Sequence, residues 1–173
     1  MVIASRAALT AFCSASQDGL DLVCTALGRN LKTRQGSDRV LVPTLEVVAF
    51  LFRAGLFQKA HGVDTKNICL QTQKAGFKTG NVRKLEACVK VYGGIAATAI
   101  EGRDGGAGAA EARKRLGALL LHPWPRIRAL VVDEMWGLTQ DGADDKGELL
   151  MGVDWAAAQK GQIKTTTEAL GFA

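Results

Sequence analysis

The sequence predicts an all-α protein, a HEAT/armadillo-like helical repeat (an α-solenoid) of about seven to eight helices. Three observations predict it. An Arg-x-Leu triplet recurs at Arg39–Leu41, Arg83–Leu85 and Arg128–Leu130, at offsets of 44 and 45 residues. Apolar residues follow the first two copies at i, i+4, i+7 and i+11, as Leu41, Leu45, Val48, Phe52 and Leu85, Val89, Tyr92, Ala96. That spacing is one face of a helix, and a period in the forties is the length of a helical-pair repeat. The composition is 47% hydrophobic but only 6% aromatic, and strand-like alternation is hard to find, which favours close-packed helices over a β-sandwich.

The third copy is looser, with Glu134 and Gly137 where Val89 and Tyr92 stand in the second. Its helix is nonetheless sharply defined. His122–Thr139 opens with Pro123 and Pro125, and proline, with φ preset and no amide hydrogen, fits a first helical turn. Ile127, Leu130, Val131, Met135 and Leu138 then fall on one side, while Arg126, Arg128, Asp133 and Glu134 fall largely off it.

Taken in order, a first helix is expected over about Val2–Ser16, with Ile3, Ala7 or Ala8, Leu9 and Phe12 on one side and a break at Gln17–Gly19. A second covers about Leu20–Lys32, its face made by Leu20, Val23, Cys24, Leu27 and Leu31. Ser37 or Asp38 can cap a third, Arg39–Arg53, by accepting from free first-turn amides. Pro43 marks an irregular start to that helix. A fourth, Asp64–Lys78, has a weak face of Ile68, Leu70, Ala75 and Phe77. Gly80 and Asn81 supply a turn and a cap for a fifth, Val82–Ile100. Gly102–Gly108 reads as a glycine-rich linker; no Gly-Lys-Ser/Thr follows it to suggest a phosphate cradle. A sixth helix spans about Ala109–Leu121 and a seventh is the proline-started one. After an acidic loop at Asp141–Lys146, a last helical region spans Gly147–Leu170, with Leu149, Leu150, Val153 and Trp155 apolar and breaks expected at Gly152 and Gly161.

At 173 residues the length fits one domain, residues 1–173, large enough to hold a core. The net charge of +5 suits an acidic partner without demanding one. Cys13, Cys24, Cys69 and Cys88 form no CxxC, and no His stands at ligand spacing from them, so they read as buried reduced thiols and no metal or cofactor is expected. No apolar run approaches the roughly 20 residues of a membrane span, and Arg6 interrupts the one stretch resembling a leader. No nucleophile elbow, HExxH, Walker A or paired-carboxylate pattern appears, so no catalytic residue is assigned. His122 is expected to cap or pack. Nucleic-acid signatures are absent too, although the basic balance keeps a nucleic-acid-binding helical domain, or a generic repeat scaffold, as the alternative.

Repeat arrays work as binding surfaces. Candidate partner-binding or inter-repeat residues are Arg113, Lys114, Arg115, Arg126 and Arg128. The first three are consecutive, so they point different ways round their helix, and Arg128 is expected to pair within the array. Pro123, Trp124, Pro125, Ile127 and Trp136 are expected to be structural, with both tryptophans in core or inter-repeat packing.

Two segments, DRVLVPTLEVVAF at Asp38–Phe50 and LHPWPRIRALVVDEMWGL at Leu121–Leu138, resemble the C-terminal domain of tubulin-folding cofactor D. The order and spacing of such pieces are similar from about residue 1 to about residue 160. The resemblance implies a helical solenoid and a cytoplasmic, microtubule-related role after the chaperonin, in capture of β-tubulin and assembly of the αβ heterodimer. It implies β-tubulin, tubulin-folding cofactors C and E and an Arf-like small GTPase as partners, and stimulation of GTP hydrolysis by tubulin only together with those cofactors. The family's proteins are far longer, so this chain would correspond to the last part of one.

Overall fold

The computed structural model describes residues 2–98, 106–139 and 145–173, with side chains described from Ser5 onward. Among them the fold is all-α. The helices are α1 (Val2–Ala15), α2 (Gln17–Thr33), α3 (Asp38–Arg53), α4 (Thr65–Gly76), α5 (Val82–Ala97), α6 (Gly106–Leu119), α7 (Pro125–Thr139), α8 (Lys146–Met151) and α9 (Lys160–Leu170), with one 3-10 turn at Phe57–Lys59. The expected last helical region is two helices, α8 and α9, separated by the turn that follows Gly152. Two compact units divide the chain, Met1–Val91 and Tyr92–Ala173, with the division inside α5.

In the first unit α2 is central, packing on α1, α3 and α4. The break between α1 and α2 is the single residue Ser16, whose hydroxyl accepts from the Gly19 amide at 3.0 Å. Gly19 is therefore inside the helix and buried, not part of a break. Leu20, Cys24 and Leu31 are buried as their spacing required. The α1 face differs from expectation. Cys13 is its buried residue, while Ala7 and Ala8 are exposed and Phe12 is 53% exposed; the side chain of Ile3 lies outside the described residues.

All four periodic residues of α3 are buried, and so are all four of α5, two of them (Leu85, Val89) in the first unit and two (Tyr92, Ala96) in the second. Pro43 sits inside α3 and does not disturb its start. Asp64 caps α4 by accepting from Asn67 N at 3.0 Å. The buried face of α4 is Ile68, Cys69, Gln71, Thr72 and Ala75, whereas Leu70 and Phe77 are exposed. Small and polar residues fill that face because α5 comes close: the Cys88 thiol reaches Thr72 O at 3.6 Å, and a Cβ on Gly76 would meet Cys88 Sγ at 3.3 Å. Asn81 caps α5 through Lys84 N at 3.1 Å, as expected.

In the second unit α6 packs on α7, α7 on α8 and α8 on α9. Gly106–Gly108, expected in the linker, form the first turn of α6; residues 102–105 of that stretch, and 141–144 of the acidic one, lie outside the described residues, as does Ile100. Pro125 is the first residue of α7, and Trp124 O receives the Ile127 and Arg128 amides. Ile127, Val131 and Met135 are buried. Gly117 of α6 lies against the backbone carbonyl of Phe172, so the chain's last turn packs directly on the helix. Trp155 is buried and donates Nε1–H to Leu150 O at 2.8 Å. Trp136, expected in core or inter-repeat packing, is not in the core: it is 41% exposed and leans on Gly147 of the neighbouring α8. A side chain at Gly147 would meet the Trp136 ring at 2.9 Å, so glycine there leaves the indole its place.

Candidate interaction surfaces

Two charge pairs link α3 to α5. Glu46 takes a fork from Arg83, Nε at 2.7 Å and Nη2 at 2.9 Å. That pairing raises the Arg83 guanidinium further above its ordinary value. Asp38 accepts from Lys84 Nζ at 2.6 Å and from Asn81 Nδ2 at 2.8 Å. The Lys84 bond, then the Asn81 bond, hold the Asp38 carboxyl below its ordinary value. Asp38 thus commits its carboxylate to α5, and Ser37 makes no side-chain cap, although one or the other was expected to cap the helix start.

The three triplet arginines have three different environments. Arg39 is exposed. Arg83 pairs with Glu46. Arg128 donates Nη1 to His122 O at 2.8 Å and Nη2 to Ala156 O at 3.1 Å, pinning the turns before α7 and before α9. His122 Nδ1 accepts from Trp124 N at 3.2 Å, and the two rings meet edge to face at 4.9 Å. Burial, then the charge of Arg128, lower the His122 pKa. His122 is thereby a local cap. His61 is similarly engaged: its backbone N–H and its ring Nδ1 lie 2.8 and 3.0 Å from the Asp21 carboxylate. The His61 amide is the main cause of a lowered Asp21 pKa.

The other predicted residues do not gather into one patch. Arg113 lies over the Phe172 ring at 5.4 Å, Arg115 pairs with Glu111 one turn earlier, and Lys114 and Arg126 are exposed. Pro123 is exposed, Trp124 is half-buried and Ile127 is buried. All four cysteines are buried and unbridged, and burial pushes Cys24 and Cys88 up to about 12. Among the described residues no group of three His, Cys, Asp or Glu is placed to hold a metal, and no helix is long and apolar enough to cross a membrane.

Two recesses formed by described residues offer surfaces a partner can enter. In the first unit an open trench of about 390 Å³ lies between α1 and α3, lined by Ser5, Arg6, Leu9, Pro43, Glu46, Val47 and Phe50. Arg6 stacks over Phe50 at 5.3 Å, so the wall combines a cation, an aromatic ring and aliphatic groups. In the second unit a recess of about 380 Å³ is lined by Leu120, Leu121, Arg128, Ala158, Lys160 and Ile163. Of the five predicted basic residues, Arg128 lines it. Sequence reasoning missed Lys84, Lys160 and Arg6. Lysine at a buried helical position was a usable signal for Lys84, since a buried charge demands a partner. Nothing local marks the other two.

Residues 1–84 match the family model described as tubulin folding cofactor D C terminal. Over those residues, just under half of its length, the chain is similar to that family. The cofactor D match spans α1 to α4, the start of α5 and the whole α1/α3 trench. It includes the Asp38–Phe50 motif and stops short of Leu121–Leu138, so the similarity expected to about residue 160 is found over the first 84 residues. Comparison with curated proteins and with solved structures gives no match.

Proposed function

We propose that the chain is a non-catalytic protein-binding domain of a tubulin-folding cofactor, contributing to post-chaperonin capture of β-tubulin and to assembly and disassembly of the αβ heterodimer. The observation that carries this reading is the cofactor D family match over residues 1–84. The all-α fold and the cation-and-aromatic trench of the matched unit support it, because apolar grooves rimmed by charge are where protein partners dock. A binding role rather than catalysis is supported by the engagement of both histidines in local hydrogen bonds and by the burial of every thiol. In this reading other tubulin-folding cofactors and an Arf-like small GTPase are further partners, stimulation of tubulin's GTP hydrolysis occurs only in their company, and the protein works in the cytoplasm on or near microtubules.

The test is capture of β-tubulin by the immobilised full chain. Arg6→Glu combined with Leu9→Asp alters two exposed or half-exposed trench residues and is expected to weaken capture at least about tenfold while leaving the helical circular dichroism unchanged. Undiminished capture would remove the trench from the reading. Failure of the unaltered chain to capture β-tubulin would remove the tubulin role itself.

A further inference from the structure

We infer that the recess in the second unit is a docking site for an extended acidic peptide segment, one that presents a carboxylate beside an apolar side chain. The proposal stands apart from the tubulin reading, because the recess lies outside residues 1–84.

The charge pattern carries it. Two cationic side chains, Arg128 and Lys160, line the recess, and no acidic residue does. Arg128 gives its two terminal nitrogens to backbone carbonyls, which orient the guanidinium without neutralising it. Its Nε is buried without a hydrogen-bond partner. The lowered pKa of His122 has this same positive charge as its second cause. Lys160 is exposed and, among the described residues, forms no ion pair. It is also the first residue of α9, a helix whose first turn holds no acidic residue and whose cap residue Gln159 makes no side-chain bond. The helix terminus therefore adds to the positive potential instead of offsetting it.

The walls decide the class of ligand. Leu120, Leu121, Ala158 and Ile163 supply apolar surface, and Leu121 is 45% exposed at the rim. Nucleic acid needs a run of cations along its backbone and aromatic platforms for its bases. Here there are two cations and no aromatic lining residue. A peptide carboxylate matches better: Lys160 can move to donate to it, Arg128 contributes a fixed charge, and Leu121 covers the neighbouring apolar side chain.

Fluorescence anisotropy on the full chain tests this with a short labelled peptide of alternating glutamate and leucine, its glutamine-for-glutamate counterpart, and a labelled single-stranded oligonucleotide. The glutamate peptide is expected to bind at least about tenfold more tightly than the glutamine peptide, the loss of one charged hydrogen bond. Lys160→Glu, at an exposed position, is expected to weaken it by at least the same factor with an unchanged melting curve. Leu121→Asp is expected to weaken it as well. Lys164→Glu, on the same helix but not lining the recess, should leave binding as it was. Equal binding of the two peptides, no binding of the glutamate peptide, indifference to Lys160→Glu, or tighter binding of the oligonucleotide would each overturn the proposal.

Discussion

Lys84 shows how one residue's role depends on its partners. It is 9% exposed in a predominantly apolar helix face, and its ammonium reaches Asp38 forty-six positions earlier at 2.6 Å. A nearly buried ammonium is tolerable only when a carboxylate receives it. The linkage has a definite sign. The folded state holds the Asp38 carboxyl below its ordinary value, so the unfolded chain takes up that proton first as the solution is acidified. The pair's stabilisation is full above the ordinary aspartate pKa of about 3.9 and is lost as pH falls through the lower folded value. Asp38→Asn is therefore expected to lower Tm at neutral pH, and the gap to the unaltered protein should narrow below about pH 4. Thermal melts of both proteins across that range check it. A gap that stayed constant would mean that the Asp38 charge does not stabilise the fold.

At the scale of elements, α6 is held by what it lacks. Gly117 faces the carbonyl of Phe172, and a methyl group there would meet backbone rather than a yielding side-chain end. Gly137 of α7 has open space around it. The two glycines thus answer the same substitution differently. Gly117→Ala is expected to destabilise by about 1–2 kcal/mol, net of the roughly 1 kcal/mol that alanine gives a helix. Gly137→Ala is expected to stabilise by up to about 1 kcal/mol. Urea titrations of the two variants measure both signs. Equal responses would show that the Phe172 turn does not press on α6.

At the scale of the molecule, α5 contributes core residues to both units, Leu85 and Val89 to one and Tyr92 and Ala96 to the other. All three tryptophans, Trp124, Trp136 and Trp155, lie in the second unit. Indole fluorescence therefore reports on that unit alone, while far-ultraviolet circular dichroism reports on both. Leu45 is fully buried in the first unit, and Leu45→Ala removes about 2–5 kcal/mol of packing there. Because a shared helix must form for either core to close, the fluorescence midpoint in urea is expected to fall together with the circular dichroism midpoint. A fluorescence midpoint that stayed in place would show two independently folding units.

By itself the sequence determined the helices and most of their inward faces. The periodic residues of α3 and α5, the proline start of α7 and the cap at Asn81 are all local features, settled by the geometry of one helical turn. Tertiary structure alone decided which charges meet, because Asp38 with Lys84 and Glu46 with Arg83 are brought together over forty-six and thirty-seven positions only by helix packing. It also placed Trp136 at the surface, put Cys13 rather than Phe12 in the core, and set Arg128 and Lys160 on one recess. Spacing along a helix says which side chains share a face. Whether another element covers that face depends on distances that no stretch of one helix contains.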